Sequence, residues 1–143
     1  TVEQNLLAIM ELIGMDRVVG IHDAVRPLVS LDTLERTYAM AEKSGGAIPV
    51  TEMVESVRLV LAEGASELVD RSRLKRVQTP QVFRSELIKE AYRAAGHTDF
   101  TDDASVYEAF AGKINLVEGN SQNIKITTPT DLKLASLLIQ SAE

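Results

Sequence analysis

Cysteine is absent from the 143 residues, which removes disulfides, thiolate nucleophiles and thiolate metal sites together. Two histidines cannot build a histidine-rich centre, so any metal must be a hard cation bound through oxygen. Tryptophan is also missing and aromatic residues amount to 4%, too few to advertise a base-stacking surface. The formal charge of −6 likewise opposes non-specific nucleic-acid binding, although an acidic protein can still hold a local basic pocket for phosphates. No apolar run approaches the ~20 residues of a membrane span, and no secretory leader pattern opens the sequence. The expectation is a cytoplasmic protein whose partners are neither membrane nor nucleic acid.

What is there suits one domain. A chain near this length buries roughly 68–70% of its unfolded surface, enough for a real core. The organising stretch is Val18-Val19-Gly20-Ile21-His22-Asp23-Ala24-Val25-Arg26-Pro27. Its short β-branched run without alternation predicts a strand buried on both faces, as in a parallel sheet. Asp23 then falls at a strand's carboxyl end, where open α/β sheets present their ligands, and Pro27 keeps Arg26 extended. Taken alone, Asp23 reads equally well as a solvated acid in a turn.

Before this strand, Leu6, Leu7, Ile9, Met10 and Ile13 recur at helical spacing and predict an amphipathic helix over 1–13. After it, Ser30 caps a helix over 31–43 with Leu31, Leu34, Tyr38 and Ala41 as its buried stripe and Gly45-Gly46 as its stop. A strand follows at 47–50. Residues 51–78 read as an extended hairpin or arm turning at Glu63-Gly64; such a hairpin has little core of its own and calls for a partner chain. The arm ends in four cations between Arg71 and Arg76, a run that by itself reads as a solvated turn. Ser85 caps a helix through Ala95, and a second helix opens at 101–103, where Thr or Asp as N-cap explains the acidic cluster without any ligand. Strands are expected at 114–118 and 123–126. Thr128 caps the last helix, Pro129 takes its first position, and Leu132, Ala135, Leu138 and Ile139 form its apolar stripe. Lys125 faces opposite to Ile124 and Ile126 on period-two geometry, so it points either to solvent or into the site.

The inventory is therefore one carboxylate at a strand end, a lysine on a late segment, and arginines and threonines after turns. That set handles phosphates: a hard cation on Asp23 bridges phosphate oxygens, while Lys125 and an arginine offset charge developing in the transition state. No side-chain nucleophile is needed if one substrate phosphate attacks another.

Six motifs, taken in order, carry a resemblance. They are His22-Asp23-Ala24-Val25-Arg26-Pro27, Asp70-Arg71, Gln78-Thr79-Pro80-Gln81, Phe100-Thr101-Asp102-Asp103-Ala104-Ser105, Leu116-Val117-Glu118-Gly119, and the run from Asn123-Ile124-Lys125 to Thr130-Asp131-Leu132. Together they resemble 2-C-methyl-D-erythritol 4-phosphate cytidylyltransferases over essentially the whole chain, matched to the carboxyl-terminal two thirds of a family member. The resemblance implies an α/β, Rossmann-like nucleotidyltransferase sheet, truncated on its amino-terminal side, with a protruding β-arm for dimerisation. Residues 1–143 then form an incomplete nucleotidyltransferase domain, with 51–78 as the inserted dimerisation and substrate-binding arm. It implies transfer of a cytidylyl group from CTP to methylerythritol phosphate, with Mg²⁺ and release of pyrophosphate, in non-mevalonate isoprenoid biosynthesis. By motif position, Asp23 resembles the metal and CTP ligand, and Ala24 and Arg26 share its turn. Lys125 resembles the lysine that steadies the α-phosphate. Arg71, Thr79 and Thr101 resemble the methylerythritol-phosphate contacts, Arg71 on an arm exchanged between the two subunits of a homodimer. Thr1 stands where the family has a serine that contacts the nucleotide.

Two departures stand out. Nothing before Thr1 supplies the family's glycine-rich loop with its arginine and lysine, so a chain beginning at Thr1 is expected to be inactive. Glu52-Met53 replaces the usual Asp-Thr, and Met53 cannot donate the threonine's hydrogen bond. The alternatives are a ribitol-5-phosphate cytidylyltransferase, which shares the His-Asp-Ala-Val-Arg-Pro type of turn; a non-catalytic dimerisation fragment; and a phospho-accepting receiver domain. The last would need an acidic pair near its start and has no basic arm.

Overall fold

The computed structural model describes residues 8–9, 11–96 and 100–141. Thr1 and most of the helix expected over 1–13 lie outside them, although Ala8, Ile9 and Glu11 are helical. The described elements run β1 (Val18–Ile21), α1 (Leu31–Ser44), β2 (Gly46–Glu52), β3 (Val57–Val60), β4 (Ser66–Val69), β5 (Lys75–Val77), β6 (Gln81–Arg84), α2 (Ser85–Ala95), α3 (Asp103–Phe110), β7 (Asn115–Glu118) and α4 (Pro129–Ser141). No helix among them is long and apolar enough to cross a membrane.

The main sheet is mixed. β6 lies between β1 and β2 and runs antiparallel to both, while β7 pairs with β2 in parallel, so β1, β2 and β7 share one direction. This corrects the expectation for Val18–Ile21. The strand is half-buried, and its partner is the antiparallel β6, because the chain returns through Gln78–Gln81 and slots the reversed strand beside it. The carboxyl ends of β1, β2 and β7 still converge on one edge of the sheet, and Asp23 lies there.

The core sits between β6 and the helices α2 and α3. Phe83, Ile88, Ala91, Val106 and Tyr107 are buried there, with the Phe83 and Tyr107 rings 5.2 Å apart. Truncating Phe83 to alanine would cost about 3–5 kcal/mol, a large part of any domain's stability.

Helix ends follow the sequence closely. Ser30 Oγ accepts from the Thr33 N–H and Gly45, at φ 102°, ends α1; replacing such a cap by alanine costs ~1 kcal/mol. Asp102 caps α3 by accepting from the Ser105 N–H. At α4, Thr128 and Asp131 cap reciprocally: Asp131 N–H donates to Thr128 Oγ1 and Thr128 N–H to Asp131 Oδ2. Ser85 is a correction, since Arg84 holds the N-cap position and the Ser85 hydroxyl donates to the Gly14 carbonyl instead.

The helix faces differ more. Thr33, Thr37 and Ala41 form the buried row of α1, whereas Leu31 and Tyr38 are exposed. Small side chains let the helix lie close on β2, β6 and β7, and the Thr37 hydroxyl satisfies itself on the Thr33 carbonyl. On α4 only Ala135 is buried, and Leu132 and Ile139 face solvent among the described residues. Residues 123–126 are not a strand. Their hydrogen bonds go to side chains and to a turn, as the Ile126 N–H does in reaching the Val25 carbonyl.

In the arm, β3 and β4 pair antiparallel as a separate two-stranded sheet, turning at 61–65. β5 returns to the main sheet beside Val50–Glu52 of β2, so the free-standing part is shorter than 51–78.

Candidate active site

The turn after β1 is closed, not extended: the Arg26 N–H donates to the Asp23 carbonyl at 3.0 Å. This tight reversal brings the Arg26 guanidinium back onto its own turn. Arg26 Nε donates to Asp23 Oδ2 at 3.0 Å and Nη1 to the Asn123 carbonyl at 2.8 Å. Lys125 Nζ stands 3.5 Å from the same Asp23 oxygen. Both cations approach Oδ2 and leave Oδ1 outside these contacts.

The side chains of Lys125 and Asp23 are 50% and 32% exposed, and a pair that wet is worth about 0–1 kcal/mol. That pair adds little to stability, whereas the Arg26 side chain is mostly buried against the same carboxylate. Two cations thus meet one carboxylate at the sheet edge.

Thr79 and His22 fix the turn from the other side. Thr79 Oγ1 accepts from the Asp23 N–H at 3.0 Å and lies 2.9 Å from His22 Nδ1. His22 Nε2 lies 2.9 Å from the Arg26 carbonyl, an obligate acceptor, so in the neutral ring Nε2 carries the proton and Nδ1 accepts from the Thr79 hydroxyl. The Thr79 hydroxyl is thus engaged within the turn.

Of the remaining expected residues, Ala24 lies exposed in the same turn. Thr101 is exposed ahead of α3, its hydroxyl 3.4 Å from that of Ser105. Arg71 sits in a 3-10 turn at the end of the arm and donates to the Val54 carbonyl. Among the described residues no hydrogen bond or ion pair joins Arg71 or Thr101 to Asp23 or Lys125. The structure brings together Asp23, Arg26, Thr79 and Lys125, and leaves Arg71 on the arm. Thr1 lies outside the described residues.

The acidic start of α3 is electrostatically tuned. Burial pushes the Asp103 carboxyl up, opposed by the Tyr92 hydroxyl that donates to it, with the charges of Asp102 and Asp23 pushing further in the same upward direction. Burial also acts upward on Asp102, but hydrogen bonds from the Ser105 hydroxyl, the Gln81 amide and the Ser105 N–H outweigh it and hold that acid low. The Gln81 side chain, buried on β6, spans the helix start by donating to Asp102 and accepting from the Ala104 N–H.

Sequence reasoning passed over the amides. Gln78 and Asn123 are both buried and link the turn at Thr79 to the loop carrying Lys125. Both stand inside quoted motifs, but nothing in their residue type marks them as interior.

Among the described residues no group of three or more His, Asp or Glu side chains gathers to hold a metal ion. The Asp23 carboxylate nonetheless fits magnesium, which binds through one or two carboxylates and completes its shell with substrate phosphate oxygens and water. A cleft of about 760 Å³ adjoins the cluster between the ends of β2 and β7, lined by Glu52, Lys75, Arg76, Gln78, Gly119 and Asn123 among others.

The family model for 2-C-methyl-D-erythritol 4-phosphate cytidylyltransferase matches residues 1–141. The cytidylyltransferase of that name from Bacteroides thetaiotaomicron is 48% identical over 136 residues, covering 95% of this chain and 60% of the relative. That of Bacteroides fragilis is 52% identical over the same shares of each. The crystal structure of the Thermus thermophilus enzyme superimposes with a TM-score of 0.88 at 32% identity, covering 98% of this chain and 70% of that one. The chain spans about 60% of the length of the curated relatives it matches. From the sheet edge with its Asp23 cluster to the whole-length match, these findings agree: the chain belongs to the 2-C-methyl-D-erythritol 4-phosphate cytidylyltransferase family.

Proposed function

We propose that this chain carries a cytidylyl-transfer site that joins CTP to 2-C-methyl-D-erythritol 4-phosphate and releases pyrophosphate, in isoprenoid precursor biosynthesis. The observation that carries the reading is the placement of Arg26 Nε and Lys125 Nζ at 3.0 and 3.5 Å from Asp23 Oδ2, at the carboxyl end of β1. In the reaction an oxygen of the acceptor's phosphate forms a bond to the α-phosphorus of CTP. The bond from that phosphorus to the bridging oxygen breaks, and the electron pair leaves on pyrophosphate. Lys125 sits where negative charge grows on the α-phosphate, and Arg26 holds the Asp23 carboxylate against its turn. Such chemistry runs on positioning and charge stabilisation, with no side-chain nucleophile. Asp23 would hold Mg²⁺, which when bound neutralises charge between the phosphates.

Arg71, Thr79 and Thr101 serve the acceptor in this reading, with Ala24 and Thr1 beside the nucleotide. Arg71 reaches a site on a second subunit, and the arm is the dimerisation element. Its exposed Leu59, Val60 and Leu68 support this, because a two-stranded hairpin is marginal in water without cover. The cytoplasm is the proposed compartment.

The test is pyrophosphate release by the intact gene product with CTP, Mg²⁺ and either methylerythritol phosphate or ribitol 5-phosphate. Release with the first and not the second is expected. Release only with ribitol 5-phosphate, or with neither, would overturn the assignment.

A further inference from the structure

The segment that delivers Lys125 has almost no regular structure to hold it. Between β7 and α4 its backbone-to-backbone bonds include the Gly119 N–H to the Val50 carbonyl, the short turn bonds Asn123 N–H to Asn120 and Ile124 N–H to Gln122, and the Ile126 N–H to the Val25 carbonyl. Yet in its middle stands Asn123, with no exposed surface at all. Asn123 Nδ2 donates to the Thr79 carbonyl at 2.9 Å and to Gln78 Oε1 at 3.3 Å. The Asn123 carbonyl accepts from Arg26 Nη1. Gln78, 6% exposed, closes the other end: Nε2 donates to the Asn120 carbonyl at 2.8 Å and Oε1 accepts from the Asn120 N–H at 3.3 Å.

The buried amide pair therefore ties the Thr79 turn to the Lys125 loop, and so fixes the Asn123 backbone carbonyl on which the Arg26 guanidinium of the Asp23 turn rests. Among the described residues Asn123 Oδ1 is buried without a hydrogen-bond partner. Gly119 is part of the arrangement: a Cβ there would come 2.3 Å from Gln78 Oε1 and 3.2 Å from the Val50 carbonyl.

We infer that Asn123, held by Gln78, is a positioning residue that sets Lys125 and Arg26 at their distance from Asp23. The inference rests on the cytidylyl-transfer reading for its kinetic consequence, but not for its structural one. Asn123→Ala releases the loop, and Asn123→Asp keeps the shape while removing both donors. Because Lys125 acts as the α-phosphate gains charge, misplacing it lowers kcat and leaves binding of the substrates nearly intact.

The experiment combines two readouts on the intact gene product. In amide hydrogen exchange, Asn123→Ala and Asn123→Asp should each speed exchange at the Ile126 N–H at least tenfold while the β1–β6 ladder stays protected. In steady-state assays kcat should fall at least tenfold with KM for CTP and for methylerythritol phosphate changed less than threefold. Unchanged Ile126 exchange, or unchanged kcat despite faster exchange, overturns the inference, as does a loss confined to KM. If Asn123 variants also lose the β1–β6 ladder, Gln78→Ala is read by the same criteria. If the unaltered protein releases no pyrophosphate with methylerythritol phosphate, the functional reading falls, and the exchange result alone decides the positioning claim.

Discussion

The Asp23 turn and the hairpin arm both carry residues we assign to the site but are held in opposite ways. The turn is locked to remote stretches by the Thr79 hydroxyl on its backbone, the Arg26 guanidinium on the Asn123 carbonyl and the Ile126 N–H on the Val25 carbonyl. The arm rests on a four-residue β3–β4 ladder and leaves Val60 and Leu68 largely exposed. The contacts around Asp23 thus lie within this chain, while Arg71 stands apart from them on an uncovered ribbon. Hydrogen bonds are concentrated around Asp23, and the arm keeps its apolar surface exposed.

Breaking the locked half should give the largest effect. Asp23→Asn should reduce pyrophosphate release by about 10²–10³-fold, the scale of removing one electrostatic contact to a transition state. Circular dichroism should show the fold kept, and near-normal turnover would reduce Asp23 to a turn residue. The arm half is tested by mixing. Arg71→Ala and Lys125→Ala chains, each inactive alone, should recover about a quarter of full activity when combined, since half the dimers are mixed and each has one intact site. Absence of recovery would place Arg71 and Lys125 of one site on the same chain.

Gly119→Ala should sharpen the contrast from within. Its Cβ would displace the pinned Gln78 side chain against a backbone carbonyl, and overpacking of this kind costs about 1–3 kcal/mol in chemical denaturation. Gly64→Ala on the arm meets no atom within 4 Å, although its φ of 78° still disfavours a side chain, so its loss should be smaller.

The smallest effect concerns pH. Burial raises the Asp103 carboxyl in the folded state, so the folded protein binds more protons than the unfolded chain just above the ordinary aspartate range. Its contribution to stability is therefore greatest in acid and falls as pH rises from the unfolded value toward the folded one. Asp103→Asn, whose side-chain oxygen can still accept from Tyr92, should raise the thermal midpoint at pH 7 and flatten that fall. A lower midpoint at pH 7 would contradict this assignment.

Local signals carried far in this sequence. Ser30, Asp102 and Thr128 announced helix starts because capping is chemistry between near neighbours, and Glu63-Gly64 announced the arm's turn for the same reason. The meeting of Asp23 and Lys125, expected from their motifs, is seen at 3.5 Å. What escaped notice depends on remote partners. The buried row of α1 follows the close approach of β2, β6 and β7, which favoured Thr33, Thr37 and Ala41 over Leu31. The direction of β1's neighbour follows from the return path through Gln78–Gln81. Asn123 and Gln78 look like surface amides until the loops that enclose them are placed in space.

The most direct measurement is a crystal structure of the intact protein with CTP and Mg²⁺. We expect the α-phosphate within about 3 Å of Lys125 Nζ, with the cation on the Asp23 carboxylate. Phosphates bound elsewhere, with Asp23 and Lys125 still paired to each other, would contradict the cytidylyl-transfer reading.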